Sequence, residues 1–151
     1  MRALLQRVSR AEVRVGDDVV GSIGRGLLVL VGVGLGDDEA TAAALGRRVA
    51  ELRIFADEAG RTNRSLVEVG GAALVVSQFT LYADTRRGRR PGFTEAAPPA
   101  VAIALLDRLC TALEGAGVPV ARGRFGAVMA VELVNDGPFT IWLDTVDVAG
   151  R

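Results

Sequence analysis

Apolar residues run from Leu27 to Val31 without a polar position and, after Gly32, continue to Val33. Such a run predicts a strand buried on both faces. Ala3 to Val8 alternates less cleanly but is rich in leucine and valine, and reads as a strand passing from sheet edge to interior. Glu12 to Val15 and Val19 to Ile23 alternate around Gly16-Asp17-Asp18, which predicts a hairpin. Gly24-Arg25-Gly26 separates that hairpin from the buried strand. Beyond Gly34 to Asp38 the period changes. Ala42, Leu45, Val49 and Leu52 form the stripe of a helix that Asp37 or Asp38 can cap.

A polar connection through Asn63 and Ser65 follows Arg53-Ile54-Phe55 and the turn Asp57 to Gly60. Gly70-Gly71 then opens an apolar strand, Ala73 to Val76. Pro98-Pro99 starts a second helix with Ala102, Leu105, Leu106, Leu109 and Leu113 inward, ending near Gly115 to Gly117. Val118 to Val120 begins another strand, Val128 to Val134 alternates as one more, and Phe139 to Leu143 reads as the last. Asn135-Asp136-Gly137-Pro138 between them has the composition of a tight turn, and residues from about 145 to 151 read as a tail. Hairpins, apolar strands and two helices predict an α/β fold: one domain over residues 1–151, of mixed β-sheet with two main helices packed on one side.

Composition narrows the chemistry. The chain has no histidine, which removes Ser-His-Asp and Cys-His arrangements and histidine zinc sites. All 18 basic residues are arginine, so lysine Schiff-base chemistry is excluded as well. Net charge is zero, which argues against a general nucleic-acid coat but leaves room for a local patch. The single cysteine, Cys110, falls on the apolar face of the second helix and reads as a buried thiol. No apolar run reaches membrane-spanning length and the first ten residues lack a signal-peptide core. These features predict a cytoplasmic protein that needs no membrane.

The stretch from Ala73 to Phe93 carries the candidate site. Its strand turns polar at Ser77-Gln78-Phe79-Thr80 and leads into a cationic loop with Arg86, Arg87, Arg89 and Arg90. Periodicity leaves two readings open: a reaction floor with an anion-binding rim, or a capped core strand before a solvated turn. No base stands beside Ser77 or Thr80 in the sequence, so both hydroxyls suit hydrogen bonding better than nucleophilic attack. The arginine loop lacks interleaved aromatics and suits phosphate positioning. Gly32 to Gly36 lacks dinucleotide or phosphate-loop spacing. Gly137-Pro138 offers two unhindered carbonyls but reads first as a hairpin turn.

Ser77 to Leu81, taken with Asn135 to Thr140, carries a resemblance: the chain resembles the D-aminoacyl-tRNA deacylases. Gln6 to Ala11, Gly26 to Leu30, Arg53 to Phe55 and Arg89 to Pro91 extend the likeness over nearly the whole length. The resemblance implies an enzyme that hydrolyses the ester between a D-amino acid and the tRNA 3′ end, as a barrel-like homodimer without metal or other cofactor. It implies a cis Gly137-Pro138 that reaches into the neighbouring subunit's pocket, whose carbonyls grip the α-amino group. It further implies that Ser77, Gln78, Phe79 and Thr80 line that pocket, that Arg7 orients Gly-Pro, and that Phe125 and Met129 hold the terminal adenine. Glycine mischarged onto alanine tRNA is an implied second substrate. Phe139, Gly92 and Thr62-Asn63-Arg64 depart from the usual pattern, and Phe139 adjoins the filter. The intact Ser77 to Thr80 segment points away from the paralogous branch that edits L-alanine on threonine tRNA. A reading of another class is a tRNA 3′-end-binding module without catalysis, separated by whether the protein releases the amino acid.

Overall fold

The computed structural model describes residues 1–86 and 88–148. In chain order they form β1 (Arg2–Val15), β2 (Asp18–Ile23), β3 (Gly26–Gly32), α1 (Glu39–Glu51), β4 (Phe55–Ala56) and β5 (Thr62–Arg64). There follow β6 (Ala72–Ser77), a 3₁₀ turn (Phe79–Tyr82), α2 (Pro99–Gly115), β7 (Val120–Arg122), β8 (Ala130–Asp144) and the short α3 (Thr145–Val148).

β1 organises the sheet. One of its edges is shared by β3, paired from Arg2 to Val8, and β2, paired from Ala11 to Val15. Its other edge carries β8 antiparallel. Gly16 has φ of 59°, which suits the two-residue hairpin turn between β1 and β2. β6 and β7 extend the sheet from β3 as parallel strands, giving the order β2-β1-β3-β6-β7. The sheet curls until β2 meets β7. A Cβ on Gly21 would lie 2.6 Å from the Arg122 carbonyl oxygen, so glycine there permits the near-closure of the barrel.

Two cores follow from the alternation of β3. Leu27, Val29 and Val31 point outward to the helices, where they meet Leu45 and Val49 of α1 and Leu105 and Leu109 of α2. Leu28 points into the curl and meets Val8, Val13, Leu74 and Val76, with Met129, Val131 and Leu133 at its margin. The strand is buried on both faces, as its composition predicts. Each fully buried leucine or valine contributes about 1.5–3 kcal/mol. Asp38 caps α1 by accepting from the Thr41 amide at 2.7 Å, and Pro99 opens α2. No described helix is long and apolar enough to cross a membrane.

The structure corrects three expectations and makes a fourth, the polar end of β6, more definite. Asn135 to Pro138 is not a turn between strands, because both flanks pair with β1 in the same direction: Thr140 opposite Gln6, Asn135 opposite Val8. The residues between arch out of a continuous β8 as a bulge facing Arg7. Asn135 closes the arch by donating Nδ2 to the carbonyls of Arg7 at 2.9 Å and Phe139 at 3.1 Å. Turn residues produce an excursion here whether or not the chain reverses. Thr62–Arg64 is not an unpaired connection but a strand against β4, held by Asp57, whose Oδ1 accepts from the amides of Ala59 and Arg61. The polar end of β6 stops at Ser77 and coils into the 3₁₀ turn. The tail begins as α3, because Thr145 donates its amide to the Met1 carbonyl at 2.9 Å and ties it to the first strand; residues 149–151 lie outside the described residues.

Candidate functional site

β3, β6 and β7 run parallel, so their C-terminal ends emerge together. Beyond those ends lies an apolar cavity of about 610 Å³. Ligands in open α/β sheets occupy this same position relative to the strands. The register sets Val75 beside Arg122, so Ser77 and the segment after β7 reach one wall. Ser77, Phe79, Phe125 and Met129, separated in sequence, therefore line the same cavity. Phe93 joins them and packs edge-on against Phe79, with ring centroids 5.0 Å apart. The sequence reading did not single out Phe93; its place straight after the arginine loop was the available signal.

Gln78 is fixed by its amide, which donates to the Val31 carbonyl at 2.7 Å. Its side-chain Nε2 donates to the Thr80 hydroxyl. The described partner of that hydroxyl is thus an amide and not a base. The Leu81 amide donates to the Gln78 carbonyl at 3.2 Å and closes the turn. The amides of Phe79 and Thr80, as the first of the turn, have no partner within it. Among the described residues no three His, Cys, Asp or Glu side chains converge as a metal-ligand set.

Gly137 and Pro138 are exposed and do not line this cavity. Arg7 pairs with Leu27, Leu27 with Ala73, and Ser77 lies further along β6. At about 3.3 Å per residue and 4.8 Å per strand, the Gly-Pro arch and Ser77 are roughly 20 Å apart as measured along the sheet. The Gly137-Pro138 peptide is cis, as the resemblance implies. Arg7 holds the arch from below: Nε donates to the Asp136 carbonyl at 3.1 Å and Nη2 to that of Gly137 at 3.3 Å. Nε also pairs with the Asp136 carboxylate at 2.9 Å, and Nη1 donates to the Ile54 carbonyl at 2.6 Å. The guanidinium sits 4.2 Å from the Phe139 ring centroid. The departure at Phe139 thus supplies a cation–π contact that steadies the arch.

Asp84 and Gly92 exchange amide-to-carbonyl bonds at 2.8 and 2.9 Å and close the base of the arginine loop. Arg86 forks onto the Asp84 carboxylate at 2.9 and 2.8 Å, and holds that carboxyl well below its usual range. Arg86 is therefore already paired, whereas Arg89 and Arg90 are exposed. Arg87 lies outside the described residues. If the loop meets tRNA phosphates, Arg89→Ala with Arg90→Ala weakens every tRNA alike, and the salt slope of binding falls by about 1–2. Fluorescence titration at several salt concentrations reads this; an unchanged slope makes the loop a solvated turn.

Cys110 is buried on α2, and burial pushes its thiol up to about 11. It stays protonated at neutral pH and is not an activated nucleophile.

A curled sheet with two helices on one face, and an apolar cavity edged by Ser77 and Phe79 beyond its parallel strands, defines the class. A solved structure described as c-Myc DNA Unwinding Element Binding Protein shares it at a TM-score of 0.88 and 36% identity, covering 95% of this chain and 98% of that one. A probable eukaryotic D-amino acid tRNA deacylase shares the fold at a TM-score of 0.81 and 22% identity, covering 94% and 97%. The family model described as D-Tyr-tRNA(Tyr) deacylase matches residues 4–144. A D-aminoacyl-tRNA deacylase of Roseiflexus sp. (strain RS-1) is 64% identical over 96% of this chain and 94% of its own. Another, of Thermomicrobium roseum, is 63% identical over 99% and 97%. The chain belongs to the D-aminoacyl-tRNA deacylase family.

Proposed function

We propose that this protein hydrolyses the ester bond between a D-amino acid and the 3′ end of tRNA, as a cytoplasmic homodimer whose sites are shared between protomers. Each site combines the cavity of one copy, edged by Ser77 and Phe79 with Gln78 and Thr80 beside it, with Gly137-Pro138 of the other. One observation carries the sharing. The arch is braced by Arg7 yet faces outward, lines no part of its own chain's cavity, and lies roughly 20 Å from Ser77 along the sheet. β8, which bears the arch, also exposes Val134 and Trp142, apolar side chains that a second copy would cover.

In this reading Phe125 and Met129 take the terminal adenine against the apolar cavity, and the Phe79 and Thr80 amides polarise the ester carbonyl. The oxygen of a water attacks the carbonyl carbon, the bond from that carbon to the ribose oxygen breaks, and the water's proton passes to that oxygen. The products are free amino acid and tRNA with its 3′ hydroxyl. An ester leaves readily enough for orientation and carbonyl polarisation to supply the catalysis without a histidine. The partner's Gly-Pro carbonyls accept from the substrate's α-ammonium and occupy the space an L side chain would need. Glycine has no side chain to reject. Glycyl-tRNA on alanine tRNA is therefore hydrolysed and L-alanyl-tRNA on the same tRNA is spared; equal rates on the two would remove the backbone filter from the account.

A further inference from the structure

The 3₁₀ turn from Phe79 to Tyr82 presents the two amides assigned to the ester carbonyl, yet none of its residues is buried. A turn of this length and bond type is weakly held by its own hydrogen bonds. It is fixed partly by β3, through the Gln78 amide on the Val31 carbonyl, and partly by the start of β1. Arg2 donates Nη1 to the Leu81 carbonyl at 2.9 Å. Its guanidinium lies 4.3 Å from the Tyr82 ring centroid. Nε donates to Asp144 at 3.0 Å, at the end of β8, and the same guanidinium is 5.9 Å from the Trp142 ring centroid.

Tyr82 is held from its other side by Asp37. That carboxylate accepts from the Tyr82 hydroxyl at 3.5 Å and the Gly34 amide at 2.7 Å, and pairs with the Met1 ammonium at 2.5 Å. Burial, followed by the Asp37 charge, pushes the Tyr82 phenol well above its usual range, so it remains a neutral donor and a platform for the arginine.

We infer that Arg2 is a positioning residue for the deacylation: by holding Leu81 and Tyr82 against β8 it fixes the turn that presents Phe79 and Thr80 to the substrate. This rests on the proposed use of that turn. Arginine suits the place because its planar fork bonds two acceptors while its face stacks on an aromatic; a lysine ammonium cannot do all three. Misplacement of a reacting group by about 1 Å is enough to cost on the order of a hundred-fold in rate.

The test compares Arg2→Gln, Arg2→Lys and a surface control, Arg14→Gln, in the full-length protein. With D-tyrosyl-tRNA, kcat of Arg2→Gln is expected to fall about ten-fold or more with KM little changed, Arg2→Lys to recover part of it, and the control to match wild type. Amide exchange read by mass spectrometry is expected to quicken in the peptide covering residues 78–84 and not in β3 or α2. Unchanged exchange in that peptide overturns the proposal, as does faster exchange with unchanged kcat, or loosening spread equally over β1 and β8. If wild-type protein does not release D-tyrosine, the functional reading fails. Exchange in residues 78–84 then still decides whether Arg2 holds the turn.

Discussion

Mixing two inactive variants restores about a quarter of wild-type deacylation, by subunit counting on a two-fold dimer. The first variant is Ser77→Tyr, which fills its own cavity but keeps an intact arch. The second keeps its cavity and carries Gly137→Val with Pro138→Ala. Neither homodimer has a working site. When equal amounts reassort at random, half of the dimers are mixed, and each has one intact cavity served by one intact arch. Native mass spectrometry establishes the mixed fraction and release of labelled D-tyrosine reads the rate. Background activity in a preparation shown to contain mixed dimers contradicts a shared site, because an arch acting in its own chain leaves every combination dead.

Arg7→Gln carries the second large effect. It removes guanidinium bonds to the Asp136, Gly137 and Ile54 carbonyls and the stacking on Phe139. Hydrogen bonds made by a charged group contribute about 1.5–3 kcal/mol each, so loss of one such bond from the transition state lowers kcat/KM roughly ten- to a hundred-fold. The arch is then less rigid, and the ratio of D-tyrosyl to L-tyrosyl hydrolysis narrows with the rate. A lower melting temperature with an unchanged D-to-L ratio assigns Arg7 to stability alone.

Much of the fold was legible because its cores are built from residues with clear periods. The unbroken run Leu27 to Val33 belongs to a strand with a core on each face, and the helical stripe of α2 is buried at Ala102, Leu105, Leu106, Leu109 and Leu113. The end of β6 beside the cavity was legible through composition at Ser77 to Thr80, because hydroxyls and an amide after an apolar strand mark where the sheet ends. What failed was local turn reasoning at Asn135 to Pro138. Those residues favour a bend, but only the register with β1 reveals that the chain continues in the same direction. The supports were illegible for a related reason. Arg2 and Arg7 are spaced from Leu81 and Gly137 by most of a domain, and nothing in a strand's alternation states which carbonyl an arginine will reach. The pairing of Arg86 with Asp84 was nearer to hand, since a carboxylate two positions before an arginine in a tight loop readily captures it.

The most direct measurement is release of labelled amino acid from D-tyrosyl-tRNA and L-tyrosyl-tRNA by the purified protein, at equal substrate and enzyme concentrations. Rapid, multiple-turnover release of D-tyrosine is expected, with an L-tyrosyl ester that decays at its spontaneous rate. Tight binding of both tRNAs with neither ester hydrolysed would contradict the proposed hydrolysis and leave a module that binds the tRNA end.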